Sequence, residues 1–352
     1  MSEPIKVADL NQLTREEWLA ARRQGLGSSD APAILGWSPW ASAWSVWLDK
    51  VEGLADDSET EAMFFGTHLE PAIASAFAER TGWGLVDLKV TQRHPELDWM
   101  LASPDRLIAP SSEPPTPKVG SGLLELKNVS AYKADEWTAA EPDADGILRG
   151  GEAPAMYLAQ VQHQHAVLGT TWGYLCALLG GNKLCIVEVP RDEEFVSMLV
   201  AAEEEFWTSY VQTRTPPPID GAEPTTEALV RMFSESDPEA EVELDEAIAR
   251  AAADYRRASE AVKAAEARKA EAGNRLREFL GEAEVGTYRG TKLVSWKPPK
   301  PSKRVDLDAL RADFPEVAEK VTKEVPGDRR LLVAPSKAAK ELLDEITDGE
   351  DK

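Results

Sequence analysis

The chain has 352 residues, of which 43% are apolar and 29% charged, and a formal net charge of −23. That length supports one large domain or two smaller ones with a real core, and the composition is that of an ordinary globular protein. Two cysteines with no CxxC pair argue against a zinc ribbon, an iron–sulfur cluster or a disulfide scaffold, and no apolar run reaches the roughly 18 residues of a membrane helix. The N-terminal stretch MSEPIKVADLNQL lacks the apolar core of a signal peptide, so a soluble protein of the cytoplasm is expected. The negative charge is an awkward start for nucleic-acid binding, which needs local positive potential. One local cluster exists: residues 285–304 carry Arg289, Lys292, Lys297, Lys300, Lys303 and Arg304 and no acid.

In chain order, Thr14 and Glu17 form a capping-box pattern that opens a helix to about Arg23. Gly25 and Gly27 permit a tight turn, and Ser28, Ser29 or Asp30 caps a short helix over 31–35. Residues 41–52 place Trp44, Trp47 and Leu48 on one helical face, and 61–82 read as a long helix closed by Gly82, with Pro71 as a start or kink. The period then shortens. GLVDLKVTQ, DWMLASP, DRLIAP and GLLELKNVS suggest a meander of strands. Helical spacing returns over 153–169. Two strands follow, joined at Gly180-Gly181-Asn182, and then an acidic amphipathic helix over 192–214. The proline-rich TPPPIDGAEP marks a boundary between a domain at 1–215 and a linker at 216–240. Beyond it, 241–280 predicts a long helix on the recurrence of Ile248, Ala252, Tyr255, Ala258 and Val262. A hairpin around Arg289-Gly290 and a small helix at 306–321 belong to the same extension, 241–345. Residues 346–352 are an acidic tail expected to be disordered.

The chemistry concentrates in two strands. Glu125 and Lys127 project from one face of a strand, about 6–7 Å apart. Asp105 begins the preceding strand, and a hairpin pairing 105–108 with 122–127 brings the two carboxylates together. Such a pair at a strand edge is a hard-oxygen site for Mg²⁺ or Mn²⁺, with the Leu126 carbonyl as a third protein ligand. A lysine there positions or helps deprotonate a water. Alone, Glu-x-Lys is also the solvated face of many half-buried strands. His163 and His165, two apart on a helix, read as non-ligands, and the tryptophans of residues 37–47 read as core.

The wider pattern resembles a known family. Pro104-Asp105 followed by Glu125-x-Lys127 matches the signature of the PD-(D/E)xK nucleases. From about Glu17 to Glu194 the chain resembles the lambda-exonuclease-like, YqaJ-type phage recombination nucleases. The likeness rests on five ordered blocks: RRQGLGSSDAPAILGWSPWASAWSVWLDK, FGTHLEPAIASAFAERTG, HPELDWMLASPDRLI, GLLELKNVS and PAMYLAQVQHQHAVLG. The resemblance implies an α/β fold with a central mixed sheet flanked by helices, followed here by a helical and β-hairpin extension. It implies that Asp105 and Glu125 bind Mg²⁺, that Lys127 acts on the attacking water, and that Glu70 and Gln160 complete the site. It places Arg22 or Arg23, and Ser28 or Ser29, on the DNA 5′-phosphate. The activity implied is 5′→3′ digestion of one strand at double-stranded DNA ends, by a homo-oligomeric ring such as a trimer, inside a bacterial host cell. The 3′ strand left behind would serve a single-strand annealing protein. The rival readings are another PD-(D/E)xK endonuclease or repair nuclease, and a non-catalytic DNA-end-binding factor.

Overall fold

The computed structural model describes residues 4–9, 14–54, 60–109, 121–300, 306–322, 331–333 and 336–348. It divides into two compact units, Met1–Phe233 and Ser234–Lys352.

In the first unit, β1 (Ile5–Asp9) precedes α1 (Arg15–Arg22). The Thr14 side chain accepts from the Glu17 amide while the Glu17 carboxylate accepts from the Thr14 amide, so the expected capping box forms. Next come α2 (Ala31–Ile34), α3 (Ala43–Glu52) and α4 (Glu61–Thr81). Helix α4 runs unbroken through Pro71, because Ile73, Ala74 and Phe77 on the following turns are buried; it ends at left-handed Gly82. Five short strands follow: β2 (Leu85–Val86), β3 (Val90–Arg93), β4 (Leu101–Ala102), β5 (Arg106–Ile108) and β6 (Gly122–Val129). A small hairpin, β7 (Glu141–Pro142) and β8 (Leu148–Arg149), leads to α5 (Ala155–Leu168). Then come β9 (Gly173–Leu179), β10 (Lys183–Glu188), α6 (Glu193–Phe206) with a wider turn over Trp207–Val211, and α7 (Glu223–Met232).

The main sheet has the order β10-β9-β6-β5-β2, parallel between β6 and β9 and antiparallel elsewhere. It is therefore the expected mixed sheet. Strand alternation divides β6 between two cores. Leu124 and Leu126 pack with Ile73, Phe77 and Tyr174 on the α4 side. Leu123 and Val129 pack with Val161 and Leu175 on the α5 side. A second sheet, β1-β3-β4, is antiparallel. A third core gathers Trp44, Trp47 and Leu48 with Val167, Val196, Phe206 and Ala228. Trp44 and Trp47 are core as expected, whereas Trp37 and Trp40 are exposed, Trp40 by 69%.

In the second unit, α8 (Glu246–Leu280) precedes a hairpin of β11 (Val285–Tyr288) and β12 (Thr291–Ser295). Its turn residues Arg289 and Gly290 both have positive φ, 51° and 79°. Helices α9 (Leu307–Asp313), α10 (Pro315–Val321) and α11 (Lys337–Asp348) complete it, with α11 packed on α8.

Three expectations change. The linker at 216–240 contains α7, because Ala228 is fully buried beside α3; the irregular, exposed connection is 234–245. The single helix at 306–321 is two, since Pro315 cannot donate to a continuing helix and starts a new one. The tail expected at 346–352 is helical through Asp348, where α11 extends into it; residues 349–352 lie outside the described residues. Strands β1, β7 and β8 were not expected. No helix among the described residues is long and apolar enough to cross a membrane.

Candidate active site

Strand β5 pairs with β6 in the expected register, Arg106 opposite Leu124, and this sets Asp105 against the edge of β6. The Leu126 amide donates to Asp105 Oδ2 at 2.7 Å. The N–H and carbonyl of a strand residue point to the same side, so the Leu126 carbonyl faces the Asp105 edge too. Glu125 and Lys127 lie on the opposite face of β6 from Leu124 and Leu126, under α5. Glu125 is 2% exposed. Its Oε1 accepts from Lys127 Nζ and from Gln160 Nε2, each at 2.6 Å, and its Oε2 accepts from Gln164 Nε2 at 2.8 Å. The Lys127 ammonium also sits 5.3 Å from the centre of the Tyr157 ring.

Burial, and then the neighbouring Glu125 carboxylate, push the Asp105 carboxyl well above its ordinary range. Burial pulls the Lys127 ammonium down, but Glu125 and Asp105 more than offset it and the net shift is upward. A buried carboxylate and a half-buried one facing one lysine form a site where added positive charge is favourable. Among the described residues, no group of three or more His, Cys, Asp or Glu side chains is arranged to hold a metal. Two carboxylates and a carbonyl at a solvent-reached edge nevertheless match the demand of Mg²⁺, which keeps several waters and takes phosphate oxygens beside one or two acids.

The glycine–serine loop after α1 lies against this edge. The Leu26 amide donates to the Trp99 carbonyl at 2.6 Å, and the Leu101 amide donates to the Leu26 carbonyl at 2.8 Å. This close approach requires Gly25, where a Cβ would come within 2.4 Å of the Trp99 carbonyl oxygen. Asp30 holds the loop in shape: it accepts from the Gly27 amide at 2.8 Å and pairs with the buried Lys50 at 2.8 Å. Burial raises the Asp30 carboxyl, but Lys50 and Arg22 win and hold it low. Arg22 donates to Ser29 Oγ at 3.1 Å and lies 4.9 Å from the Trp18 ring centre.

A pocket of about 170 Å³ joins the two clusters. Trp18, Arg22, Ser28 and Ser29 line one part, and Asp105, Glu125 and Gln160 the other. A larger cavity, about 340 Å³, lies among Arg80, Trp83, Leu148 and Ile186 and has no acid in its wall.

The structure thus brings together Asp105, Glu125, Lys127, Gln160, Arg22, Ser28 and Ser29. It separates one candidate, Arg23, from them. Arg23 turns away from the pocket to pair with Asp49 at 2.9 Å and to donate to the Gly53 carbonyl at 3.1 Å, tying α1 to the end of α3. Of the adjacent arginines, Arg22 is the one that faces the pocket. Glu70 stands beside the site, just outside the pocket wall: Arg106 donates to its carboxylate at 2.6 Å and also to the Asp105 carbonyl, and the Glu70 charge adds to the rise of the Asp105 carboxyl. His163 and His165 are fully buried and bonded to protein groups, as expected of non-ligands: His163 to Glu203 and the Leu101 carbonyl, His165 to Thr170 and the Val189 carbonyl. Sequence reasoning missed Trp18, Lys50 and Gln164. Trp18 and Gln164 had a signal, since each stands four residues from a candidate, Arg22 and Gln160, and so shares its helical face. Gln162, two residues from Gln160, bonds the Pro190 carbonyl and the Asp192 amide away from the pocket.

A family model described as YqaJ-like viral recombinase domain matches residues 17–171. The uncharacterized protein YqaJ of Bacillus subtilis (strain 168) is 33% identical over 321 residues, spanning 90% of this chain and 94% of that one. Among solved structures, the alkaline exonuclease LHK-Exo from Laribacter hongkongensis overlays with a TM-score of 0.40 at 18% identity, covering 57% of this chain and 94% of that one. The Shutoff and Exonuclease Protein from Kaposi's sarcoma-associated herpesvirus overlays with a TM-score of 0.38 at 10% identity, covering 60% of this chain and 72% of that one.

Proposed function

Since this chain belongs to the YqaJ-like viral recombinase family, we propose that it is a divalent-metal-dependent exonuclease that digests the 5′-ended strand of linear double-stranded DNA. The observation that carries the reading is the single pocket that joins the Asp105–Glu125 carboxylates to Arg22, Ser28 and Ser29. A chain end with a 5′-phosphate fits such a pocket: the guanidinium and hydroxyls take the terminal phosphate, and the scissile phosphate reaches the carboxylate edge.

Asp105, Glu125 and the Leu126 carbonyl would hold Mg²⁺, with Mn²⁺ as a substitute. When bound, the cation neutralises charge on the phosphate and acidifies a water. The chain's own groups do the remaining work. Lys127, anchored on Glu125, directs an N–H toward the attacking water or the phosphate. Gln160 and Gln164 hold the Glu125 carboxylate in place. Glu70, paired with Arg106 beside Asp105, adds a further carboxylate near the metal or its water. The proposed setting is the cytoplasm of a bacterial host cell. There a homo-oligomeric ring around the duplex would supply several inward-facing cations to an otherwise acidic chain, and a single-strand annealing protein would take over the 3′ strand.

The test is a linear duplex labelled at either its 5′ or its 3′ end, incubated with and without Mg²⁺ beside a closed circle of the same sequence. The 5′ label should leave first, only with metal, and the circle should remain intact. Cutting of the circle would reassign the site to an endonuclease, and metal-independent or absent cleavage would remove the nuclease reading altogether.

A further inference from the structure

The two ends of the pocket are wired together from beneath by one buried amide. Gln164 on α5 is fully buried and is not part of the pocket wall. One amide hydrogen goes to Glu125 Oε2 at 2.8 Å, and the other points to Ser28 Oγ at 3.4 Å. Ser28 is itself buried and adjoins Ser29, which accepts from Arg22. A path of contacts therefore runs from Arg22 through Ser29, Ser28 and Gln164 to Glu125. The carbonyl oxygen of Gln164 is buried and has no partner among the described residues. The opposite orientation of the amide would set that oxygen against the Glu125 carboxylate, so the observed one is fixed by its two donors. An unmet buried acceptor weighs against the fold, and a thioether of similar size would avoid it. What the amide adds is a pair of donors, and one side chain spends both on groups from different parts of the pocket.

We propose that Gln164 is a positioning residue that couples occupancy of the 5′-phosphate end of the pocket to the placement of Glu125. The terminal phosphate, drawn to Arg22 and Ser29, settles the serine loop. The loop fixes the Ser28 hydroxyl, and through the shared amide this fixes the one carboxylate that also carries Lys127 and Gln160. A 5′-phosphate then accelerates the chemical step as well as binding the end. The inference rests on the nuclease reading above and goes further by locating end discrimination in the turnover rate.

The test uses the full-length protein and saturating Mg²⁺, with kcat and KM measured on duplexes ending in 5′-phosphate and 5′-hydroxyl. The variants are Gln164→Met, which keeps volume but has no donor, and Ser28→Ala, which cuts the other end of the bridge. The wild type should show a higher kcat on 5′-phosphate ends. Gln164→Met should reduce that kcat ratio about tenfold while leaving the KM ratio in place. Ser28→Ala should reduce the kcat ratio by a similar factor, with a KM change of its own because its hydroxyl also lines the phosphate end. In the kcat ratio the double variant should go no further than either single one, as expected for groups acting through one contact path. Should Gln164→Met fail to fold, Ser28→Ala and its kcat ratio decide alone. An equal loss of kcat on both ends, as a purely structural role produces, or a wild-type preference lying wholly in KM, would overturn the coupling and leave the nuclease reading intact. Wild-type protein without Mg²⁺-dependent cleavage would overturn both.

Discussion

The two units of the chain spend their sequence differently. The first closes three apolar cores around one mixed sheet and uses that depth to bury polar groups: Glu125, Asp30, Lys50, His163 and Gln164 all sit where water does not reach them freely. In the second, Ala253, Ala318 and Leu343 are the buried apolar residues among those described, and its long helix shows Ile248, Tyr255, Val262 and Phe279 to solvent. A buried charge needs a surrounding core to hold its partners in place, because each misplaced partner leaves the full desolvation cost unmet. The first unit can therefore host acid–base chemistry, while the second is suited to surface contacts made by side chains that are already exposed.

That contrast can be broken by mutation. The largest effect should come from Asp105→Ala, Glu125→Ala or Lys127→Ala, each lowering metal-dependent cleavage by at least about 10²-fold, as when one member of a catalytic unit is lost. Asp105→Ala should nevertheless melt no lower than the wild type, since it removes one of two carboxylates crowded in a buried site. A cleavage assay beside a thermal melt checks both halves, and near-normal turnover in any of the three would move the chemistry elsewhere.

Next in size is the packing of the sheet. A Cβ on Gly122 would come within 2.2 Å of the Trp172 ring, which is buried and has nowhere to go. Gly122→Ala should cost about 3 kcal/mol in urea unfolding. Phe279→Ala, at a side chain 93% exposed, should stay within about 0.5 kcal/mol. Equal effects at the two positions would erase the distinction between the units.

Smaller is a pH effect confined to the first unit. Burial lowers the His165 imidazole from 6.5 to about 4. The folded state therefore resists a proton that the unfolded chain accepts. The stability His165 contributes is complete above about pH 6.5 and is lost as pH falls toward 4. Between pH 7 and 5 this amounts to about 2 kcal/mol, and His165→Gln should flatten the urea-midpoint profile by that amount relative to the wild type. Identical profiles for the two proteins would show that the ring titrates normally.

The parts of this architecture that were legible in sequence are those with local causes. Thr14 and Glu17 cap each other across three residues, Gly180 and Gly181 turn a hairpin, and strict alternation in GLLELKNV separates Glu125 and Lys127 from Leu124 and Leu126. The Asp105–Glu125 meeting was legible because an antiparallel pair with Asp105 at its start admits few registers. What escaped was set at a distance. Strands β7 and β8 have two residues each, too few to show a period. The choice between Arg22 and Arg23 depended on where Asp49 lies, twenty-six residues on. Gln164 was passed over beside Gln160, although four residues along a helix return a side chain to nearly the same face, while the two that separate Gln160 from Gln162 turn it by about 200°.

The parallel pairing of β6 with β9 also bears on the order in which the protein becomes complete during synthesis. Glu125 lies opposite Leu175, fifty residues later, and its amide donors come from the helix between them. Closing so long a loop is slow compared with forming a local turn. A chain still on the ribosome cannot lodge Glu125 between its neighbours until β9 has emerged. A growing polypeptide therefore carries Asp105 and Glu125 without the means to aim them, and the proposed hydrolysis must wait until the molecule is whole.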